Sequence, residues 1–290
     1  MNDAYVIMSD LSLDMDPADA KAADLRLIPM SYSIGNEDRI CDSFETDEAL
    51  QRFYDAQRRG EITRTTQITP QIYKEQFSAL MESGISILYL SLSGGLSNTY
   101  ASSCVAAEWM NEKYPQAKVR TVDSRAATVG MGLLMEAAIA NRAAGMSLEE
   151  NARWLEENRL RVCHWFMVED LMYLKRGGRV SATTAVVGTA LNIKPILKIA
   201  EDGTLTTFAK KRGEKAAMAQ LIEYYQQNRD GGENEHVYVA HTGAPERAEQ
   251  LKSMVLAINP QARIVIRQLC PIIGAHVGPG MCAVVHWGKR

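Results

Sequence analysis

The stretch Leu90-Ser-Leu-Ser-Gly-Gly-Leu-Ser-Asn-Thr-Tyr100 joins an apolar run to a helical pattern. The apolar run Ile85–Leu90 is typical of a buried strand, and the pattern Ser97–Asn111 is typical of a helix. Because a strand that turns through glycine into a helix is the repeating unit of parallel α/β sheets, this stretch decides the fold. The first N–H groups of such a helix have no partners within it and lie at the positive end of the helix dipole. The turn therefore predicts an anion site, with Ser97 as the N-cap of the helix.

Ser97 has three interpretations on these residues alone. It could only cap its own helix, it could hold an anion, or it could act as a nucleophile. A nucleophile elbow has glycine on both sides of the serine, whereas Gly95-Leu96-Ser97-Asn98-Thr99 supplies only the first. A serine hydrolase also needs a histidine held by a carboxylate, for which His241 and His276 are candidates without a local motif. The segment leaves capping and anion binding equally open and favours hydrolysis least.

The first part of the chain alternates short buried strands with amphipathic helices. The predicted strands are Tyr5–Met8, Ile85–Leu90 and Val119–Val122. The predicted helices are Asp47–Arg58, Gln71–Glu82, Ser97–Asn111, Gly130–Ala144 and Leu148–Asn158. This alternation predicts an α/β fold with a doubly wound parallel sheet in an N-terminal domain of residues 1–163.

The pattern changes after about Cys163. The predicted strands there are Lys194–Ile199, Thr204–Phe208, His236–Ala240, Arg263–Gln268 and Met281–Trp287, and the predicted helices are Glu169–Lys175, Glu214–Asn228 and Pro245–Ala257. The first two strands are joined by Glu201-Asp202-Gly203, which is a hairpin signal. This order predicts a C-terminal α+β domain with a mixed sheet, residues 164–290.

Composition and charge narrow the class of protein. The chain has 290 residues, more than one compact core usually needs, which favours two domains. A formal net charge of -3 without a long basic tract gives no field that would steer the protein onto nucleic acid. The five cysteines are an odd number without metal-ligand spacing, and several lie in apolar runs, which is typical of buried thiols. We therefore expect no metal and no cofactor.

The N-terminus and the apolar runs bear on localisation. The start of the chain lacks a basic region followed by an apolar export segment. No apolar stretch is long enough to span a bilayer. We therefore expect a cytoplasmic protein without stable membrane insertion.

Four further polar segments are candidates for binding. The hydroxyl-rich Thr65-Thr66-Gln67-Ile68-Thr69-Pro70 is more often a turn before a capped helix than a ligand site. Lys175-Arg176-Gly177-Gly178-Arg179 could bind phosphate or an acidic partner, although cations and glycine also favour a helix C-terminus. Lys210-Lys211-Arg212 is equally compatible with a solvated face. His276 is flanked by glycines within Gly274–Gly280, which allow close backbone approach and make a ligand contact plausible.

Taken together, these segments resemble the DegV family of bacterial fatty-acid-binding proteins. The matching motifs follow the family's order along most of the chain: Thr65-Thr-Gln-Ile-Thr69, Gly95-Leu-Ser-Asn-Thr-Tyr100, Tyr173-Leu-Lys-Arg-Gly-Gly-Arg-Val-Ser181, Leu191-Asn-Ile-Lys-Pro-Ile-Leu197, His241-Thr-Gly-Ala-Pro-Glu246 and Gly274-Ala-His-Val-Gly-Pro-Gly280. Each motif is weak by itself, whereas the set is specific.

The resemblance implies two α/β domains that enclose a long-chain fatty acid between them. The residues that it assigns to the fatty-acid carboxylate are Thr65, Thr66, Ser97, Asn98 and His276. Asn98 stands where the family usually has glycine, so we expect it to add a donor or to narrow the approach to the carboxylate.

The resemblance also implies a partner. Family members of this kind carry the acyl chain for a fatty acid kinase, whose separate ATP-binding subunit phosphorylates the carboxylate. By this analogy Arg176, Arg179 and Arg212 would line the mouth of the site or face the kinase. The chain would then be a lipid-binding protein and not an enzyme. The alternatives are a serine hydrolase that acts on acyl esters through Ser97 and a lipid sensor without a kinase partner.

Overall fold

The structure, a computed structural model, describes residues 5–181 and 192–290. Its strands are β1 (Tyr5–Asp10), β2 (Arg26–Ile28), β3 (Met30–Ile34), β4 (Glu37–Cys41), β5 (Thr63–Thr66), β6 (Ser86–Ser91), β7 (Val119–Asp123), β8 (Val162–Met167), β9 (Ile193–Ile199), β10 (Leu205–Arg212), β11 (His236–His241), β12 (Arg263–Gln268) and β13 (Cys282–Trp287). Its α-helices are α1 (Pro17–Ala22), α2 (Asp47–Arg58), α3 (Pro70–Glu82), α4 (Thr99–Lys113), α5 (Val129–Ala143), α6 (Leu148–Asn158), α7 (Leu171–Arg176), α8 (Glu214–Asn228), α9 (Pro245–Ile258) and α10 (Pro271–Val277). Within the described ranges, no helix is long and apolar enough to cross a membrane.

A parallel sheet in the order β2-β1-β6-β7 forms the centre of the N-terminal half. Its two faces carry alternate residues of each strand. Leu88 and Leu90 of β6 pack with α5 and α6, whereas Tyr89 packs with α3 and α4. Because helices cover both faces, the sheet is doubly wound, which confirms the predicted fold class.

A mixed sheet in the order β10-β9-β8-β13-β11-β12 forms the C-terminal half. Only β11 and β12 run parallel among its paired strands. Phe166 and Val285 share one core with α5 and the parallel sheet, whereas Trp165 and Val284 share another core with α8 and α9. The two-domain α/β architecture is therefore confirmed, with α5 between the sheets. Strand β8 begins at Val162, so the predicted boundary after residue 163 falls inside a strand, and the division at that residue stays a prediction.

A small antiparallel sheet in the order β4-β3-β5 was not predicted from the sequence. Thr65 and Thr66 were expected in a loop, but they end β5 and pair with Tyr32 and Ser31 of β3. Threonine is favoured in strands, and the pairing with β3 supplies the backbone partners that a loop would have taken from water. The sheet therefore holds the threonine hydroxyls on a fixed strand.

Two helix starts follow their sequence signals. Thr69 caps α3 by accepting a hydrogen bond from the N–H of Ile72, and Pro70 occupies the first turn. Ser147 and Glu150 form the reciprocal bonds of a capping box at the start of α6. The first residues of these two helices are therefore fixed by local sequence.

Asp14 is a buried carboxyl between β1 and α1 that touches the start of α10. Its Oδ1 accepts a hydrogen bond of 2.9 Å from the N–H of Cys270, whereas Oδ2 has no partner among the described residues. Burial raises the pKa of Asp14 to about 7, against the weaker lowering effects of the Cys270 hydrogen bond and of Arg267. The folded state therefore favours the protonated form, and the stability that Asp14 contributes is present below its ordinary pKa and is lost as the pH rises through about 7.

We expect Asp14→Asn to remove this loss, because asparagine keeps the acceptor oxygen without an ionisable group. Between pH 5 and pH 8, the free energy of unfolding measured in urea should fall less, or rise more, in Asp14→Asn than in the unsubstituted protein. Asp38→Asn, at an exposed position, serves as the control and should leave the profile unchanged. Identical profiles for Asp14→Asn and the unsubstituted protein would contradict the assignment.

Candidate functional site

A cavity of about 370 Å³ lies between the two halves of the chain. Most of its wall is apolar, with side chains from the N-terminal half, from β8 and β13, and from the β9–β10 hairpin: Leu92, Leu96, Phe166, Ile199, Leu205 and Val285. The volume falls in the range of small-molecule sites, roughly 300–1,000 Å³. The cavity is therefore large enough for a ligand and suits one that is mostly hydrocarbon.

Polar side chains cluster on one part of this wall. Thr65 Oγ1 and His276 Nε2 share a hydrogen bond of 2.8 Å, although their residues are far apart in the sequence. Arg179 Nε donates a hydrogen bond of 2.9 Å to the carbonyl of Leu96, the residue before Ser97. The positive charge of Arg179 also lowers the pKa of His276. Thr65, Ser97, Arg179 and His276 all line the cavity, so the structure brings together hydroxyl, imidazole and guanidinium donors.

Ser97 was predicted to be the N-cap of α4, but in the structure it lies one residue before the N-cap. Helix α4 begins at Thr99, with Asn98 as the N-cap residue and without a side-chain cap bond. The N–H of Ser97 already donates to the carbonyl of Ser93, which closes the glycine turn before the helix begins. Ser97 Oγ accepts from the N–H of Thr99 at 3.2 Å and lies 2.7 Å from Thr99 Oγ1. Ser97 therefore lines the cavity from a fixed turn, and its one hydroxyl hydrogen is shared between Thr99 Oγ1 and any acceptor that enters the cavity.

His276 is held in a confined position on α10. Its Nδ1 is buried and has no partner among the described residues, and a Cβ atom on Gly177 would collide with it. Burial, followed by the positive charge of Arg179, lowers the pKa of His276 to about 4. The imidazole is therefore neutral at pH 7 and has one N–H to donate.

We expect His276 to titrate with a midpoint near 4 in ligand-free protein, measured from its imidazole resonances by NMR. Because the folded pKa lies below its ordinary value of 6.5, the contribution of His276 to stability is complete above that pH and is lost as the pH falls towards 4. Arg179→Gln should raise the midpoint without restoring 6.5, since burial is the larger cause. A midpoint near 6.5 in the unsubstituted protein would contradict this environment.

The geometry does not assemble a catalytic triad around Ser97. His276 bonds Thr65 through Nε2, and among the described residues no carboxylate is bonded to its Nδ1. His241 does not line the cavity, and its Nδ1 accepts from the N–H of Ala244 at 3.2 Å. A nucleophilic serine needs a histidine that a carboxylate orients, so these contacts give no support to the hydrolase alternative.

The remaining predicted site residues lie at and outside the cavity. Thr66 lines it next to Thr65. Asn98 is exposed and does not line it, so the geometry does not support the contact that was expected for its side chain. Arg176 is exposed with its guanidinium 5.3 Å from the centre of the Tyr173 ring, and Arg212 is exposed at the end of β10. Of the three arginines, Arg179 lines the cavity and the other two face solvent.

Three polar lining residues were not predicted: Gln67, Thr128 and His164. Gln67 belongs to the Thr65–Thr69 motif, which was its only signal. His164 alternates with Trp165 along β8 and so faces the cavity, while burial lowers its pKa to about 3. Thr128 precedes α5 with a φ of 54°, a left-handed conformation that is uncommon outside glycine.

These features define a two-domain α/β protein with an apolar cavity and a polar cluster in its wall. The family model described as an uncharacterised protein of the DegV family matches residues 4–289. The chain belongs to the DegV family. Among the described residues, no group of three histidine, cysteine, aspartate or glutamate side chains is placed to hold a metal ion. Leu191, the first residue of one family motif, lies outside the described residues.

Relatives and solved structures agree with this assignment. A DegV domain-containing protein of Clostridium perfringens is 36% identical over 284 residues, which cover 98% of this chain and 97% of the relative. The structure of a fatty-acid-binding DegV family protein from Thermus thermophilus matches with a TM-score of 0.87 and 25% identity, over 98% of this chain and 99% of that one. The fatty acid kinase (Fak) B3 protein of Streptococcus pneumoniae, loaded with linoleic acid, has the same fold at 21% identity, with a TM-score of 0.84 over 99% of this chain and all (100%) of that one.

Proposed function

We propose that this protein binds a long-chain fatty acid in the cavity, with the carboxylate at the polar cluster and the acyl chain along the apolar wall. The observation that carries the proposal is the placement of Ser97 and of the hydrogen-bonded pair Thr65 and His276 in the lining of one mostly apolar cavity. The fatty acid bound by the Thermus thermophilus relative supports the same ligand class. The ligand would be held by the protein and not converted by it.

The two ends of such a ligand need different surroundings. A carboxylate removed from water is costly unless donors bind it, and hydrogen bonds to a charged acceptor are among the stronger ones. Thr65 and Ser97 bring hydroxyl groups to the cavity wall, neutral His276 carries one N–H, and Arg179 adds a positive charge that acts on His276. The acyl chain needs only apolar contact, and each buried methylene contributes roughly 0.8 kcal/mol. The cavity offers both kinds of wall.

We further propose that the protein presents the bound carboxylate to a separate fatty acid kinase subunit that supplies ATP, in the cytoplasm. The family motifs and the similarity to the fatty acid kinase (Fak) B3 protein of Streptococcus pneumoniae support this partner. Arg176 and Arg212 are exposed, so both are free to meet an acidic surface of a partner. Carrying the acyl chain to a kinase would require both a buried tail and an approachable head group.

We expect the purified protein to take up a fatty acid in a one-to-one complex visible by native mass spectrometry, and Ser97→Ala to weaken that complex. Loss of one donor to a buried charged acceptor costs about 1–3 kcal/mol, or roughly 5- to 150-fold in affinity. Ser253→Ala is the control, because Ser253 is exposed on α9 and its hydroxyl bonds only the carbonyl of Glu249 on the same helix. Protein that is empty as purified and takes up no fatty acid when offered it would exclude the proposed function.

We expect Arg176→Glu and Arg212→Glu to weaken binding to the ATP-binding subunit of a cognate fatty acid kinase while fatty-acid binding is retained. Charge reversal replaces attraction to an acidic partner surface with repulsion. Arg263→Glu is the matched control, because Arg263 is exposed on β12, at the opposite edge of the sheet from β10. Titration calorimetry with the purified subunit measures the effect. A fatty-acid-loaded protein that does not bind the kinase subunit would favour the lipid-sensor alternative.

A further inference from the structure

Helix α10, which carries His276, is a short helix of seven residues. The carbonyl groups in the last turn of a helix are free to accept hydrogen bonds from side chains of other elements. Here the carbonyl of Gly274 accepts from the side chain of Gln57, and the carbonyl of Ala275 accepts from Thr63 Oγ1 at 3.1 Å. The position of α10 is therefore linked to side chains of the N-terminal half.

Gln57 uses both hydrogens of its amide group for this link. Its Nε2 donates to the carbonyl of Gly274 at 3.0 Å and to Thr63 Oγ1 at 3.0 Å. Gly274 lies two residues before His276 on α10, and Thr63 lies two residues before Thr65 on β5. One buried amide, 1% exposed, thus binds both elements that supply the Thr65–His276 pair.

A contribution to the stability of the fold does not by itself explain why the Gln57 amide is buried at this position. Without Gln57, the carbonyl of Gly274 would still accept from the N–H of Gly278 at 3.0 Å, and Thr63 Oγ1 would still donate to Ala275. In addition, Oε1 of Gln57 is buried without a partner among the described residues, which is unfavourable for folding. What would be lost with Gln57 is a second link between β5 and α10, beside the direct bond from Thr63 Oγ1 to the carbonyl of Ala275.

We infer that Gln57 is a positioning residue for the carboxylate site, because its amide bridges the two elements that carry Thr65 and His276. The effect of Gln57 on carboxylate binding rests on the proposed function. Its effect on the position of His276 exists already in the ligand-free protein. Gln57 does not line the cavity and acts only through the other two residues.

The test is a double-substitution cycle of fatty-acid affinity with Gln57→Met and Thr65→Val. Methionine keeps the length of the side chain and removes both donors. Each single substitution should weaken binding, by on the order of tenfold for the loss of hydrogen bonding at a buried charged acceptor. If Gln57 acts through Thr65, the double variant should bind about as weakly as Thr65→Val, since coupled residues are not additive. Multiplied effects in the double variant would overturn the inference.

A second measurement needs no fatty acid. In Gln57→Met, the His276 imidazole nitrogen resonances and their titration midpoint should shift, because the Thr65 hydrogen bond is lengthened or lost. Gln220→Met is the matched control: Gln220 is a buried glutamine on α8 that bonds Glu223 and does not line the cavity. Unchanged His276 resonances in Gln57→Met, or an equal shift in Gln220→Met, would overturn the inference.

The two measurements separate the inference from the proposed function. If the unsubstituted protein binds no fatty acid, the proposed function fails and the His276 resonances alone decide the role of Gln57. If Gln57→Met does not fold, Thr63→Val breaks the same chain of hydrogen bonds at its next link and should shift the His276 resonances in its place. Unshifted resonances in folded Thr63→Val would then overturn the inference.

Discussion

The hydrogen bond between Thr65 and His276 joins positions 211 residues apart, and the site depends on it. Each partner comes from an element that is otherwise easily displaced: an edge strand of a three-stranded sheet and a helix of seven residues. Tyr54 Oη donates to the carbonyl of Leu269 just before that helix, and a Cβ atom on Gly274 would meet the Tyr54 hydroxyl at 2.5 Å. Glycine at this position therefore lets the helix approach α2 closely enough for its histidine to reach the threonine.

A second close approach closes the other side of the cavity. A Cβ atom on Gly95 would lie 2.5 Å from the carbonyl carbon of Gly203, and Ser93 Oγ donates to the Gly203 carbonyl at 2.8 Å. The tip of the β9–β10 hairpin thus rests on the glycine turn before Ser97. Ile199 and Leu205, on either side of this tip, form part of the apolar wall. The glycine turn was expected to form an anion site at the start of a helix, and in the structure Gly95 also allows the close approach of the hairpin from the other half.

The sequence predicts the bounds of individual helices better than it predicts which segments contact one another in the fold. Helices such as α2 and α6 have the bounds that their apolar periodicity and caps indicate. Strands β3 to β5 were missed because their short, polar segments lack a clear period and depend on one another for pairing. The distinction between Arg179, which lines the cavity, and Arg176, which faces solvent, depends on how the chain leaves α7. The local residue pattern does not predict the direction in which the chain leaves this helix.

The charges at the polar cluster constrain how an anion could be held there. Burial lowers the pKa of Arg179 as well as that of His276, which means that both cationic forms are disfavoured by the same removal of water. A carboxylate bound as proposed would oppose this effect, because a nearby negative charge stabilises both cationic forms. Arg179 would remain charged. His276 could bind the carboxylate either as a neutral ring that donates its N–H or as a protonated ring. The histidine needs the Thr65 contact in either case, since that hydrogen bond holds Nε2 and fixes the orientation of the ring. Positioning the ring therefore matters more to the site than charging it.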